Sequence, residues 1–350
     1  IAEARAWVDG RPPIPGKPLL DCCQAVPSYP PDETLRAHLA ERALTFEAAQ
    51  YAPITGTPAL KTALADHMSG FYGGDVQPAN VQITAGCNQA YCLAIMALAR
   101  RGDEVILPLP YYFNHQMWLD SLGVTGVHLP FRADRGGVPD PEEAATLITE
   151  RTRALLLVSP NNPTGAVIPP DVIAAFRDLC AARGIALVLD ETYKDFLDPT
   201  EPRHTLFSDP KWGETVVQLY SFSKVFSLTG YRVGSIVAGA AFIAQVAKLM
   251  DTMSICAARI GQDGALYALR HLWPWAAEKR EMMAGRRQAL LDVFSSGNLA
   301  VAKRLAQEHG VLALPGTVFG PGQDPYLRLA FANLEAEHMG ELGDRLRGAV

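Results

Sequence analysis

From Val81 onward, short runs rich in Val, Ile and Leu alternate with segments of helical periodicity. The apolar runs fall at 81–85, 104–109, 124–129, 153–158, 186–190, 215–219 and 232–238. Helical patterns at 88–100, 112–121, 141–149 and 171–182 lie between them, the last closed by Gly184 as a C-cap. Runs that are apolar at every position, rather than at every second one, belong to strands buried on both faces. The alternation therefore predicts an α/β fold, a mainly parallel seven-stranded sheet covered by helices. One connection breaks the parallel rule. Ser221 to Tyr231 is too short for a helical crossover, which takes a dozen or more residues. The strand at 232–238 is thus expected to run antiparallel to 215–219, returning Arg232 to the edge that holds Lys224.

Around this sheet the pattern changes. Residues 1–31 are proline-rich and read as an arm. Asp32 is placed to cap a helix, Tyr51–Gly56 reads as a turn-rich loop, and Pro58 opens another helix. After about Ala265 the strand rhythm stops. A helix over 275–295 leads to a smaller unit with apolar runs at 311–314 and 326–331 and a final amphipathic helix from Glu335. The expected organisation is an arm, 1–31, contributing to a small α+β domain at 271–350, with a large domain at 32–270.

The 350 residues are 49% hydrophobic and 19% charged, ordinary for a globular protein with a sizeable core. With 31 basic against 37 acidic residues the net charge is −6, which argues against nucleic acid as a partner. The six cysteines form no CxxC pair, so neither a metal site nor a disulfide framework is indicated. The most apolar stretch, 233–250, contains Ser235, Gln245 and Lys248 and reads as strand then helix, not as a membrane span. The first thirty residues carry no apolar run of the signal-peptide kind, and a cytoplasmic protein is expected.

Ligands of parallel sheets sit at the carboxyl ends of the strands. In this chain those ends are polar. Thr84-Ala85-Gly86-Cys87-Asn88 offers a close backbone approach and a helix N-terminus, suited to an anion. Tyr111-Tyr112 offers an aromatic face. Asn162, in Asn161-Asn162-Pro163-Thr164-Gly165, offers an amide. Asp190, in Asp190-Glu191-Thr192-Tyr193, offers a carboxylate for a protonated ring nitrogen. Ser221, Ser223 and Lys224, with Arg232, offer hydroxyls and a guanidinium for a phosphate and an amine for a carbonyl. Each has an ordinary structural explanation when taken alone. Together they describe a phosphorylated aromatic aldehyde with a ring nitrogen, which is pyridoxal phosphate (PLP).

With these motifs the chain resembles the fold-type I PLP-dependent enzymes of the aspartate aminotransferase superfamily, the class I/II aminotransferases. The matches run in order from about Pro27 to Phe331 and include YAPITG with Tyr51, TAGCNQA, PYYFNH, NNPTG, DETY, SFSK, GYRVG and YLRLAFAN with Arg328. The resemblance implies that Lys224 forms the Schiff base and shuttles the proton, and that Asp190, backed by His115, pairs with the pyridinium nitrogen. It gives Asn162 and Tyr193 the ring oxygen, Tyr112 the ring face, and Gly86, Cys87, Asn88, Ser221, Ser223 and Arg232 the phosphate and its surroundings. It gives Tyr51 the phosphate of a neighbouring subunit, hence a homodimer with shared active sites. Arg328 and Asn162 would hold the substrate α-carboxylate. The implied reaction moves an amino group from an L-amino acid to a 2-oxo acid by ping-pong half-reactions, with no metal. The same residues serve C–S β-lyases and other amino-acid lyases or decarboxylases of the superfamily, which stand as the alternative.

Two departures bear on substrate. Ala25 stands where the family usually has Gly. The stretch Lys248–Cys256 lacks the arginine that dicarboxylate-specific members supply from a partner subunit, and Arg259 falls in another register. A nucleotide-binding oxidoreductase is disfavoured, because no GxGxxG follows a strand and no GxxxxGK[ST] occurs.

Overall fold

The computed structural model describes residues 1–294 and 302–348. Contacts divide the chain into two units, residues 31–276 and residues 1–30 with 277–350.

The larger unit is built on a seven-stranded sheet of β1 (Val81–Thr84), β2 (Glu104–Pro108), β3 (Thr125–Leu129), β4 (Thr152–Val158), β5 (Ala186–Asp190), β6 (Val216–Ser221) and β7 (Gly234–Ala238). Its spatial order is β1-β7-β6-β5-β4-β2-β3. All neighbours pair in parallel except β7, which runs against both β1 and β6. The fold class read from the sequence is therefore correct, including the reversed strand. Leu155, Leu157, Leu187 and Leu189 are fully buried on the two central strands, and each contributes about 1.5–3 kcal/mol by leaving water.

Local chemistry sets the helix ends. Asp32 accepts hydrogen bonds from the amides of Thr34 (2.8 Å) and Leu35 (3.4 Å), capping the helix Glu33–Ala43 as expected. Proline opens Pro58–Tyr72, Pro141–Leu147 and Pro170–Arg183, where its missing N–H costs nothing. Gly184 ends the last of these at φ +62°.

Some boundaries differ from the expectation. The strand expected at 232–238 starts at Gly234, because Arg232 has φ +49° and cannot join a ladder. The helix Arg259–His271 is not evident in the sequence because Gly261 and Gly264 interrupt its pattern. Both glycines are needed for close packing: a Cβ on Gly261 would lie 2.5 Å from the Tyr231 carbonyl oxygen, and one on Gly264 would lie 3.1 Å from Leu39. The helix expected over 275–295 spans Trp273–Phe294, and residue 295 lies outside the described residues.

In the smaller unit, Leu20–Asp21 pairs in parallel with Val311–Leu312, and Leu314–Pro315 pairs antiparallel with Leu327–Arg328. Leu20, Cys22, Leu305, Val311, Met339 and Leu342 form its core. The last helix begins at His338, not at Glu335. The Glu335 carboxylate is held instead by Arg286 and by the Ser28 hydroxyl (2.9 Å), which fixes that residue in the preceding turn.

Candidate active site

Sheet register assembles a candidate site in the larger unit. Gly234 pairs with Thr84 on one side and Ser221 on the other. Arg232, two residues earlier, therefore emerges beside the carboxyl ends of both β1 and β6. It donates to the carbonyls of Thr229 (2.9 Å) and Ala85 (3.2 Å). Gly86, at φ +86°, starts the helix Cys87–Leu98, and no side chain caps that end. The first amides of a helix have no intrahelical acceptor and carry partial positive charge. Any side chain on Gly86 would collide with the guanidinium, since a Cβ would lie 2.4 Å from Arg232 Nη2. Ser221, 3% exposed, accepts the Ser223 amide at 3.2 Å. Helix amides, a guanidinium and buried hydroxyls form a donor set suited to a phosphate dianion.

Asp190 ends β5 and is 6% exposed. One carboxylate oxygen accepts the Thr192 amide at 3.0 Å, and the other lies 3.5 Å from His115 Nε2. The carboxylate thus caps its own turn and presents a supported negative charge. Burial works to raise its pKa. The His115 hydrogen bond and charge, with the hydroxyl and amide of Thr192, outweigh burial and hold it below the usual aspartate range. His115 is fixed in turn, its ring meeting Tyr91 at 4.3 Å and Tyr112 edge-on at 5.2 Å.

The paired aromatics and amides divide their work. Tyr111 packs toward the core beside His128. Tyr112 stands at the start of the helix Phe113–Leu122, its hydroxyl accepting from Asn114 at 2.8 Å. Asn161 builds the turn by accepting from the Thr164 amide and hydroxyl, leaving Asn162 as the half-buried amide at the end of β4. Lys224, half-buried, places Nζ 5.9 Å from the centre of the Tyr193 ring. Asn88 is exposed, and Tyr51 is 75% exposed. Arg328 belongs to the smaller unit, where it is 8% exposed and donates to the Cys23 carbonyl.

One participant, Thr192, was not singled out in the sequence, and one that was, Cys87, has a further role. Thr192 holds Asp190 through both amide and hydroxyl. The Cys87 side chain, and not only its backbone, reaches Asp190 and Thr192. Burial first, then the Asp190 charge, push its thiol well above the ordinary value. A hydroxyl residue two positions after the carboxylate was the available signal for Thr192.

The sequence profile of the family described as aminotransferase class I and II matches residues 18–346. The chain belongs to that family. An aspartate aminotransferase of Pyrococcus horikoshii is 28% identical over 337 residues, covering 89% of this chain and 85% of the relative. An arginine–pyruvate transaminase of Pseudomonas aeruginosa is 31% identical over 320 residues, covering 85% and 81%. The solved Thermus thermophilus aspartate aminotransferase with maleate superposes with a TM-score of 0.88 at 28% identity, over all of this chain and 95% of that one. Class I and II aminotransferases use PLP. The lyase alternative is not favoured by these relatives, which are named as aminotransferases. The larger unit of this aminotransferase fits the cofactor on its own chemistry: the Gly86 turn admits no side chain under Arg232, and the buried carboxylate is charged at neutral pH. Among the described residues, no helix is long and apolar enough to cross a membrane.

Proposed function

We propose that this aminotransferase carries PLP on Lys224 and moves an amino group from an L-amino acid to a 2-oxo acid in two half-reactions. The observation that carries the reading is the convergence of three strand ends in one register: the Gly86–Arg232 cup, the supported Asp190 carboxylate, and Lys224 beside Tyr193.

Bound PLP supplies an electron sink for the bonds at the substrate α-carbon. The protein's residues do the rest. The amides of Cys87 and Asn88, the Ser221 hydroxyl and Arg232 hold the phosphate, with Gly86 keeping the cup open and Ser223 ordering it through the Ser221 contact. Asp190, held by His115 and Thr192, keeps a negative charge against the ring nitrogen. Asn162 and Tyr193 donate to the ring oxygen, and Tyr112 covers the ring face. Lys224 Nζ, once unprotonated, accepts and returns a proton at the substrate carbon, as a positioned base does.

The substrate α-carboxylate falls to Arg328 with Asn162, an assignment that rests on the sequence match YLRLAFAN. A guanidinium binds a carboxylate bidentately, as a lysine does not. Tyr51, solvent-exposed in one chain, is assigned to the phosphate of a second copy, which makes the working unit a homodimer. The missing arginine in Lys248–Cys256 supports a substrate that is not a dicarboxylate by that route. A cytoplasmic setting is part of the same proposal, since all six cysteines are unpaired thiols of the kind a reducing compartment preserves.

The purified protein is expected to show a visible absorption band from bound PLP that Lys224→Ala lacks. An amino donor alone should bleach it once, and a 2-oxo acid should restore it. Turnover in Lys224→Ala should fall at least about a thousandfold, as for loss of a proton-transfer group. Continuous release of ammonia and an oxo acid from the donor alone would overturn the proposal.

A further inference from the structure

The segment after β5 has a second set of buried charged residues, to which none of the roles above has been given. Glu191, Lys194 and Asp195 are 4%, 0% and 5% exposed. A fully buried lysine is costly unless paired, and removing its partner costs more than replacing the pair. Lys194 Nζ donates to Asp195 Oδ1 at 2.6 Å and to His67 Nε2 at 2.9 Å, and lies 4.1 Å from the Phe71 ring centre. An ammonium has no acceptor, so His67 Nε2 must be unprotonated. Burial first, and the Lys194 charge second, push His67 down to about 3, which keeps the ring neutral. The other Asp195 oxygen accepts the Tyr220 hydroxyl at 2.7 Å.

Tyr220 directly precedes Ser221 at the end of β6, and strand side chains alternate between faces. Ser221 therefore lies on the face toward the phosphate cup, and Tyr220 on the opposite face. The Asp195–Tyr220 bond ties the turn that bears Tyr193 to the strand end that bears Ser221 and Lys224. Asp190 and Tyr193 face the reaction, while the residues just after them fasten the same turn from behind.

We propose that Lys194, Asp195 and Tyr220 form a buried brace that fixes Tyr193 relative to Lys224, and that they are positioning residues for amino transfer. This rests on the cofactor reading above. The brace touches neither substrate nor cofactor; it sets where the Tyr193 phenol and the lysine amine stand.

Tyr220→Phe removes the bond to Asp195 and keeps the ring. In the PLP-loaded enzyme it is expected to move the pH midpoint of the visible band by about half a unit or more. It should lower kcat about tenfold while changing KM about twofold or less. The double variant Lys194→Met with Asp195→Asn removes both charges together and leaves no buried unpaired ion. It should melt near the wild-type temperature and still show the shifted midpoint and lowered kcat. Variants that lose thermal stability but keep the wild-type midpoint, kcat and KM would overturn the brace. A wild-type protein with no visible band after PLP loading would overturn the cofactor reading and the brace together. A wild-type band with unmoved variants overturns the brace alone.

Discussion

Asp190 and Arg328 are both buried charged residues at strand ends, yet they are held in opposite ways. Asp190 closes a five-residue strand in the middle of the seven-stranded sheet, in register with Val158 and Leu219. Its supports are near at hand: Thr192, His115 and the sheet itself. Arg328 closes a two-residue strand. It donates to the carbonyl of Cys23, 305 residues away, and its neighbours repeat the pattern. The Ala330 amide donates to Cys22 (2.8 Å), Asn333 to Asp21 (2.7 Å), and the Ser28 amide to Ala332 (3.2 Å). Arg286, 1% exposed, gathers Ser28, Ala332 and Glu335 around one guanidinium. The two arrangements separate rigidity from adjustability. A charge set by sheet register moves only if the core moves. A charge held by the arm depends instead on hydrogen bonds between segments some three hundred residues apart.

The sharpest way to break this comparison is at Asp190. Asp190→Asn is expected to cost about a hundredfold or more in kcat, the scale of a removed preorganised charge, with KM little changed. It should also alter acid sensitivity. Because the folded-state pKa of Asp190 is lowered, its carboxylate contributes stability that is fully present above the unfolded value. That contribution is lost as pH falls below the ordinary aspartate value of 3.8 and through the lower folded one. Melting temperatures of wild type and Asp190→Asn should therefore converge as pH drops below that value. Parallel curves would show that the carboxylate is not held as described.

Arg328→Lys is the next test. It keeps the charge and loses the bidentate fork, so KM for the amino donor should rise about ten- to a hundredfold, the range of one charge-assisted hydrogen bond. The visible band of bound PLP should be unchanged. A shifted band with an unchanged KM would reassign Arg328 from substrate to structure. The smallest effect is expected at Glu335→Gln. That side chain is 52% exposed, and water screens its pairing with Arg286, so unfolding should shift by less than about 1 kcal/mol. A larger loss would mean that the buried Arg286 guanidinium depends on a full charge at Glu335.

Much of this was readable from residue order. The alternation from Val81 to Ala238 encodes a buried parallel sheet, because only such strands tolerate apolar side chains on both faces. The eleven residues from Ser221 to Tyr231 encode the reversal of β7, because no helix fits there. Asp32 and Gly184 announce their caps by local chemistry alone. Where the pattern misled, distant contacts had won. Gly261 and Gly264 hide a helix because Tyr231 and Leu39 press against it, and Glu335 stays out of the last helix because Arg286 and Ser28 hold it.

The sequence thus determined the fold class, the order of the motifs and the residue types at each strand end, since these follow from periodicity and local geometry. Tertiary structure alone decided what each side chain faces. Periodicity and local geometry in Asp190-Glu191-Thr192-Tyr193-Lys194-Asp195 do not tell which carboxylate meets His115, which only the family resemblance assigned, or which is sealed against a lysine and a tyrosine. Burial decides it: inside the protein a charge is tolerated only where partners reach it, and apart from the local Thr192 those partners, His115, His67 and Tyr220, are brought there by the fold.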